Sequence, residues 1–178
     1  MVTQQTLDKN TLGVVFYFVS KLNGILGKTH LQKLLFLTDL IAMKKLKEKI
    51  TTIEYKKYKH GPYSAEIDDY TNHLIDLNYI ESKEFPLSSN NAKKYTRYYL
   101  KKNIPIKEKL LKSLGSKKLL VVDEIADSFG NLSLQNLLDI VYNLPIVKNS
   151  KMDSLLDIIK DIEAESEEEK NALSDLPF

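Results

Sequence analysis

The stretch THLQKLLFLTDLI, residues 29–41, decides the fold. Its apolar residues lie almost all round a helical projection, and a helix with that pattern is buried on every side. We therefore predict a central core helix near residues 30–43. Thr29 and Gln32 have the spacing of a capping box, in which each side chain bonds the other residue's backbone amide. We assign Gln32 to this cap and expect Lys33 to be exposed or paired with an acid.

Helices and short extended segments surround this centre. Apolar residues spaced by three and four predict a helix over residues 10–23 that ends at Gly24 and Gly27. Alternation over residues 53–59 predicts a short strand, and HGPYS, residues 60–64, predicts a turn in which Gly61 has a positive φ. Ser64 is expected to cap a helix with the buried stripe Ile67, Tyr70, Leu74 and Leu77, ended by a left-handed Asn78.

Residues 79–85 and 94–101 are tyrosine-rich and predict a two-stranded ribbon, which gives the outline of a winged helix. The gap of about twenty residues before Ser64 is too long for the tight turn of a DNA-reading helix-turn-helix. Helices are predicted over residues 105–162, with breaks at Gly115, Gly130 and Pro145 and a last helix starting near Met152. The fold class is mainly α, a multi-helix domain over residues 1–162, followed by an acidic, frayed tail over residues 163–178.

Composition narrows the class of protein. The 178 residues include no cysteine, which excludes disulfides and thiolate metal sites and is typical of a reducing compartment. The apolar run from Leu12 to Val19 is too short to span a bilayer, and the polar start lacks the features of a signal peptide. We expect a cytoplasmic protein that has no contact with a membrane.

The residues that enzymes use are scattered along the chain. The six glycines mark helix ends and turns and form no phosphate-binding loop. His30, His60 and His73 lie on separate elements, without the spacing of a metal site. No serine elbow of the G-x-S-x-G kind occurs. We predict a non-enzymatic protein with no cofactor, no metal and no catalytic residue.

Charge is distributed unevenly along the chain and favours a binding function. Residues 1–112 hold 20 Lys/Arg against 11 Asp/Glu, whereas residues 113–178 hold 6 against 13. Lysines interleaved with tyrosines concentrate in the basic region 44–60 and on the ribbon. With a single arginine in the chain, this surface suits phosphates or an acidic protein partner better than base-specific readout. The candidate contact residues are Lys56, Lys57, Lys59, Lys93, Lys94 and Arg97.

Two segments together resemble a known family. LQKLLFL, residues 31–37, and YKKYKHGPYS, residues 55–64, are similar to the Panacea, or SocA-like, antitoxin domain, and are closest to its YwgA-type branch of prokaryotic proteins. The resemblance covers residues 12–85. It implies a non-enzymatic helical domain that binds a protein partner, such as a cognate toxin. A winged-helix-like DNA-binding regulator that uses regions 44–60 and 79–101 is the alternative, and a homodimer is left open. The motif residues, expected to be structural, are Gln32, Lys33, His60, Gly61, Pro62, Tyr63 and Ser64.

Overall fold

The computed structural model describes residues 7–24, 27–87, 94–101 and 107–174, without the side chains of residues 107–110 and 168–174. In these ranges the chain forms seven helices and two antiparallel two-stranded ribbons, so the prediction of a mainly α fold with a small β-ribbon is confirmed. The elements in chain order are α1 Lys9–Lys21, α2 Lys28–Leu46, β1 Lys56–Tyr58, β2 Gly61–Tyr63, α3 Glu66–Asp76, β3 Ile80–Pro86, β4 Lys94–Leu100, α4 Lys107–Phe129, α5 Leu134–Asn143, α6 Pro145–Lys148 and α7 Ile158–Ser174.

Helix α2 is the centre of the core. Every residue from Leu31 to Leu40 is buried, and α2 contacts α1, α4, α5, α7 and strands β2 and β4. The all-round apolar pattern of residues 29–41 requires such surroundings, because each face of the helix needs an apolar neighbour. The prediction of a central buried helix is therefore confirmed.

Helix α2 begins differently from the prediction. Gly27 is its N-cap, and the amide of Leu31 donates to the Gly27 carbonyl at 2.9 Å. Gly27 also bridges to Arg97 on β4, which holds the backbone ahead of the helix in place. Thr29 consequently lies inside the first turn, where it cannot cap, so the predicted capping box with Gln32 is wrong.

Two expectations for α3 are also wrong. Its N-cap is Ala65, without a side-chain hydrogen bond, because the backbone of Ser64 is held by Gln32 instead. Leu77 is exposed because it follows the last helical residue, although Ile67, Tyr70 and Leu74 are buried as predicted. The left-handed stop is confirmed by the φ of +61° at Asn78.

The C-terminal part follows most of the predicted breaks. Helix α4 is interrupted at Gly115 (φ +71°, ψ 162°), and the Ser133 hydroxyl caps α5 by accepting from the Asn136 amide at 3.2 Å. Pro105, the predicted start of this region, lies outside the described residues. The last helix starts at Ile158 rather than at Met152, because the backbone of residues 153–156 bonds to strand β1 and its flank. Helix α7 then continues to Ser174, so residues 163–174 are helical, whereas a frayed tail was predicted.

A buried carboxylate fixes the segment between α2 and β1. The carboxylate of Asp39 accepts from the amides of Ile50 and Thr51 at 3.0 and 2.8 Å and from the Thr51 hydroxyl at 2.5 Å. Burial raises the pKa of Asp39 to about 6, although Lys49 lies 3.8 Å away. The long segment before β1 is thereby anchored to the central helix.

Candidate interaction site

The two motif segments bind each other directly. The side-chain nitrogen Nε2 of Gln32 donates to the backbone carbonyl of Ser64 at 2.8 Å. The side-chain oxygen Oε1 of Gln32 accepts from the backbone amide of Ser64 at 2.9 Å. Gln32 is only 2% exposed, and Ser64 is also buried. One side chain thus satisfies both backbone groups of a residue 32 positions away, which is a strong positional constraint in a dry environment.

Lys33 is the second link between the segments. Its ammonium donates to the Pro62 carbonyl at 2.8 Å, and the residue is 2% exposed. Burial lowers the pKa of Lys33 to about 8. No carboxylate pairs with it among the described side chains, so the expectation of an exposed or ion-paired lysine is wrong. We call Gln32, Lys33 and the backbone of Pro62 and Ser64 the clamp.

The clamp holds the β1–β2 hairpin against α2. Gly61, opposite Tyr58 in the register, has a φ of +81°, as its turn position predicts. The rings of Tyr58 and Tyr63 lie 5.6 Å apart on the hairpin, and the Tyr142 hydroxyl bonds the Lys59 carbonyl. A small cleft of about 160 Å³ lies between the hairpin and α2, lined by Lys28, Thr29, Gln32, Lys33, Tyr58, His60, Gly61 and Tyr63. The motif residues His60 and Tyr63 therefore border a cleft, and Gly61, Pro62 and Ser64 position it.

A larger cleft of about 700 Å³ lies on the other side of the α2 N-terminus. We call it the main cleft. Three parts of the chain form its walls. They are Gly27 with the first turn of α2, the end of the β3–β4 ribbon (Leu87 after β3 and the first residues of β4), and residues 132–134, where α5 begins. Arg97 projects from β4 into this region, where its guanidinium lies 5.3 Å from the Tyr95 ring centre and 5.7 Å from that of Phe85. Sequence patterns did not predict the main cleft, because its three walls are far apart in the chain.

The predicted contact lysines occupy different environments. Lys56 and Lys59 are exposed on the hairpin. Lys57, a candidate contact residue, is half-buried and donates to the carbonyls of Ser150 and Lys148 at 2.8 and 3.4 Å. Lys94 pairs with Glu84 at 3.0 Å. Lys93 lies outside the described residues.

Acidic residues from the C-terminal part neutralise the start of the basic region 44–60. Lys44 pairs with Glu165 at 2.8 Å, and Lys45 pairs with Glu124 at 2.5 Å. Lys49 donates to the Ile53 carbonyl at 2.5 Å. The opposite charges of the two parts of the sequence thus meet inside one molecule, which leaves fewer free lysines for an external anion.

The described ranges contain no group of three or more His, Cys, Asp or Glu side chains that could hold a metal ion. None of the helices over the same ranges is both long and apolar enough to cross a bilayer.

Residues 31–146 match the sequence model of the antitoxin SocA-like family, the Panacea domain. The match covers more than half of the chain and includes both halves of the clamp, so the chain belongs to this family. No curated protein and no solved structure shows a significant match to the chain.

Proposed function

We propose that the chain is a non-enzymatic interaction module of the cytoplasm that binds a protein partner, in particular a cognate toxin. Membership of the antitoxin SocA-like family is the observation that carries the proposal. The closeness of this chain to the YwgA-type branch of the family stays a prediction. The clamp supports the proposal physically, since it fixes the hairpin and the α2 N-terminus as one surface with two adjacent clefts. Preorganised surfaces of this kind lower the entropic cost of binding a partner.

Co-expression with the product of the neighbouring gene tests this proposal. The neighbour expressed alone should arrest growth, and co-expression of this chain should restore growth and bring both proteins through one affinity column. A frameshifted copy of this chain is the control for the effect of expression itself. A neighbour that is harmless, or whose toxicity persists although this chain is present and folded, would contradict the proposal.

Nucleic-acid binding is the alternative, and the exposed Lys56 and Lys59 on one hairpin favour it. Affinity for duplex DNA should then fall with salt by about 0.9 log units per phosphate contact for each log unit of salt. The Lys56→Ala/Lys59→Ala double variant should weaken binding to all sequences equally, because lysine contacts carry little base information. Pairing of Lys44 and Lys45 with acids makes this alternative weaker than protein binding. Sedimentation of the purified chain would decide whether it forms a homodimer.

A further inference from the structure

The chain's single arginine lines the main cleft. The sequence has 26 Lys and Arg residues, of which only Arg97 is arginine. The planar guanidinium can bind a carboxylate through two parallel hydrogen bonds, a geometry that lysine cannot offer. No carboxylate pairs with Arg97 among the side chains that the structure describes. The one described hydrogen bond of the guanidinium, to the Gly24 carbonyl, is long at 3.3 Å, so most of the guanidinium N–H donors are available.

The position of Arg97 is set by several elements. Its backbone bridges to Gly27, directly before α2, and the next residue on β4, Tyr98, accepts from the Gly24 amide at 3.1 Å. The rings of Phe85 and Tyr95 stack at 5.5 Å, and the guanidinium lies close to both. These contacts therefore hold the Arg97 side chain in a defined position beside the first turn of α2.

The rest of the main cleft also favours an anion. Its described lining contains no acidic residue, and its two lysines, Lys28 and Lys94, are paired outside the lining with Asp68 at 2.7 Å and with Glu84 at 3.0 Å, which leaves Arg97 as its unpaired cation. Helices α2 and α5 both begin at this cleft, and neither carries an acid in its first turn. The partial positive charges of the two helix ends therefore add to the charge of Arg97. His30 Nε2 lies 3.3 Å from the Leu132 carbonyl oxygen, and this contact links the starts of α2 and α5.

Apolar side chains at the mouth of the cleft distinguish it from a binding site for a nucleic-acid backbone. Leu87, Tyr95 and Leu134 are exposed there, with Leu134 at 37%. A nucleic-acid backbone would leave these side chains in water, whereas an acidic peptide with apolar neighbours would cover them. A volume of about 700 Å³ is in the range of clefts that bind small ligands or a few residues of extended chain.

We propose that the main cleft binds an acidic, extended segment of the protein partner, with one carboxylate on Arg97 and neighbouring apolar side chains on Leu87, Tyr95 and Leu134. This inference rests on the proposed protein-binding function and identifies where and through which chemistry the partner is held. Charge complementarity to the cleft, with hydrophobic contacts at its rim, accounts for the specificity.

The test uses a fluorescein-labelled nonapeptide of alternating Glu and Leu and a matched peptide with Gln in place of every Glu. Fluorescence polarisation with the full chain should show that the Glu peptide binds at least about tenfold more tightly than the Gln peptide. Arg97→Gln should remove most of this preference. Lys47→Gln removes the same charge at the far end of α2, which is about 28 Å long, and should retain it.

A second variant keeps the test valid if Arg97→Gln disturbs the ribbon. Leu134→Asp places a carboxylate in the first turn of α5, where negative charge is compatible with the helix, and should repel the Glu peptide without unfolding the chain. Equal affinity for the Glu and Gln peptides would overturn the inference. The inference would also be overturned if Arg97→Gln, Leu134→Asp and Lys47→Gln all kept the preference for the Glu peptide. Binding of duplex DNA in the cleft in place of the peptide would overturn it as well.

The same variants separate this inference from the proposed function. A partner that co-purifies equally with wild type, Arg97→Gln and Leu134→Asp would leave protein binding in place and contradict the cleft assignment. A cleft-dependent preference for the Glu peptide, together with no toxin neutralised by the wild-type chain, would contradict the proposed function alone.

Discussion

Gln32 and Ser64 exchange two hydrogen bonds, one in each direction, at 2.8 and 2.9 Å. Together with the bond from Lys33 to the Pro62 carbonyl at 2.8 Å, they join the central helix to the hairpin. The two segments that resemble the antitoxin domain are therefore partners in space as well as landmarks in sequence. The clamp residues are themselves buried, and they fix the hairpin against the N-terminal part of α2.

Replacement of Gln32 by alanine should be strongly destabilising. The substitution leaves the amide and carbonyl of Ser64 buried without their partner, which costs about 2–4 kcal/mol of unfolding free energy. Urea denaturation measures the change. Gln135→Ala, which removes an exposed bond to Asp139 on α5, is the matched control and should change stability by less than about 0.5 kcal/mol. Equal effects of the two substitutions would mean that the clamp contributes little.

Lys33 should make stability depend on pH in the alkaline range. Its pKa is about 8 in the folded protein and near 10.5 when unfolded, so between these values the unfolded chain binds more protons. The unfolding free energy of the wild type should therefore rise relative to Lys33→Met from pH 8 to pH 10.5, by up to about 3 kcal/mol. Chemical denaturation of both proteins across this range measures the difference.

An exposed lysine provides the comparison for that experiment. Lys47→Met should give a curve parallel to that of the wild type, because Lys47 is exposed after the end of α2. A constant difference between wild type and Lys33→Met over the same range would show that Lys33 is not desolvated in solution.

Asp39 should produce the opposite trend in the acidic range. Burial raises its pKa from 3.8 to about 6, so the folded state holds more protons than the unfolded state between these values. The wild type should therefore lose stability relative to Asp39→Asn as the pH rises from about 4 to 6, by up to about 3 kcal/mol. Denaturant titration at several pH values would show this, with the exposed Asp76→Asn as a control without such a trend.

Asp39→Ala tests the structural part of the same site. This substitution leaves the amides of Ile50 and Thr51 without an acceptor and should cost about 3 kcal/mol relative to Asp39→Asn at every pH, because neither variant titrates at this position. Asp39→Asn retains an acceptor oxygen and should cost clearly less. If alanine is tolerated as well as asparagine, the hydrogen bonds of Asp39 do not anchor the segment before β1.

The helical centre was predictable from sequence, but the clamp was not. An apolar pattern on all faces of residues 31–40 has one stable outcome, burial, whatever the neighbours are. Gln32, by contrast, lies three residues after Thr29, which is the spacing of a capping box. A rule about neighbouring residues contains no information about Ser64, the actual partner 32 residues away. Thr29 does not cap α2, because the helix already begins at Lys28, directly after the bridge between Gly27 and β4.

The contact residues show the same limit. Lysine density predicted a basic surface, yet Lys44, Lys45 and Lys57 are held by side chains or carbonyls from the C-terminal part of the chain. Arg97 was a candidate because of its charge alone. What distinguishes it, a position beside two helix starts and between apolar side chains, depends on tertiary packing and leaves no periodic trace in the sequence.

Toxin neutralisation by wild type, Arg97→Gln and Lys47→Gln tests the central claim most directly. Growth of cells that co-express each form with the neighbouring gene is the measurement, and thermal melting verifies that each form is folded. We predict that wild type and Lys47→Gln restore growth and that Arg97→Gln does not. Failure of the folded wild-type chain to restore growth would contradict the claim that it acts by binding a toxin, and full rescue by Arg97→Gln would contradict the role of the main cleft.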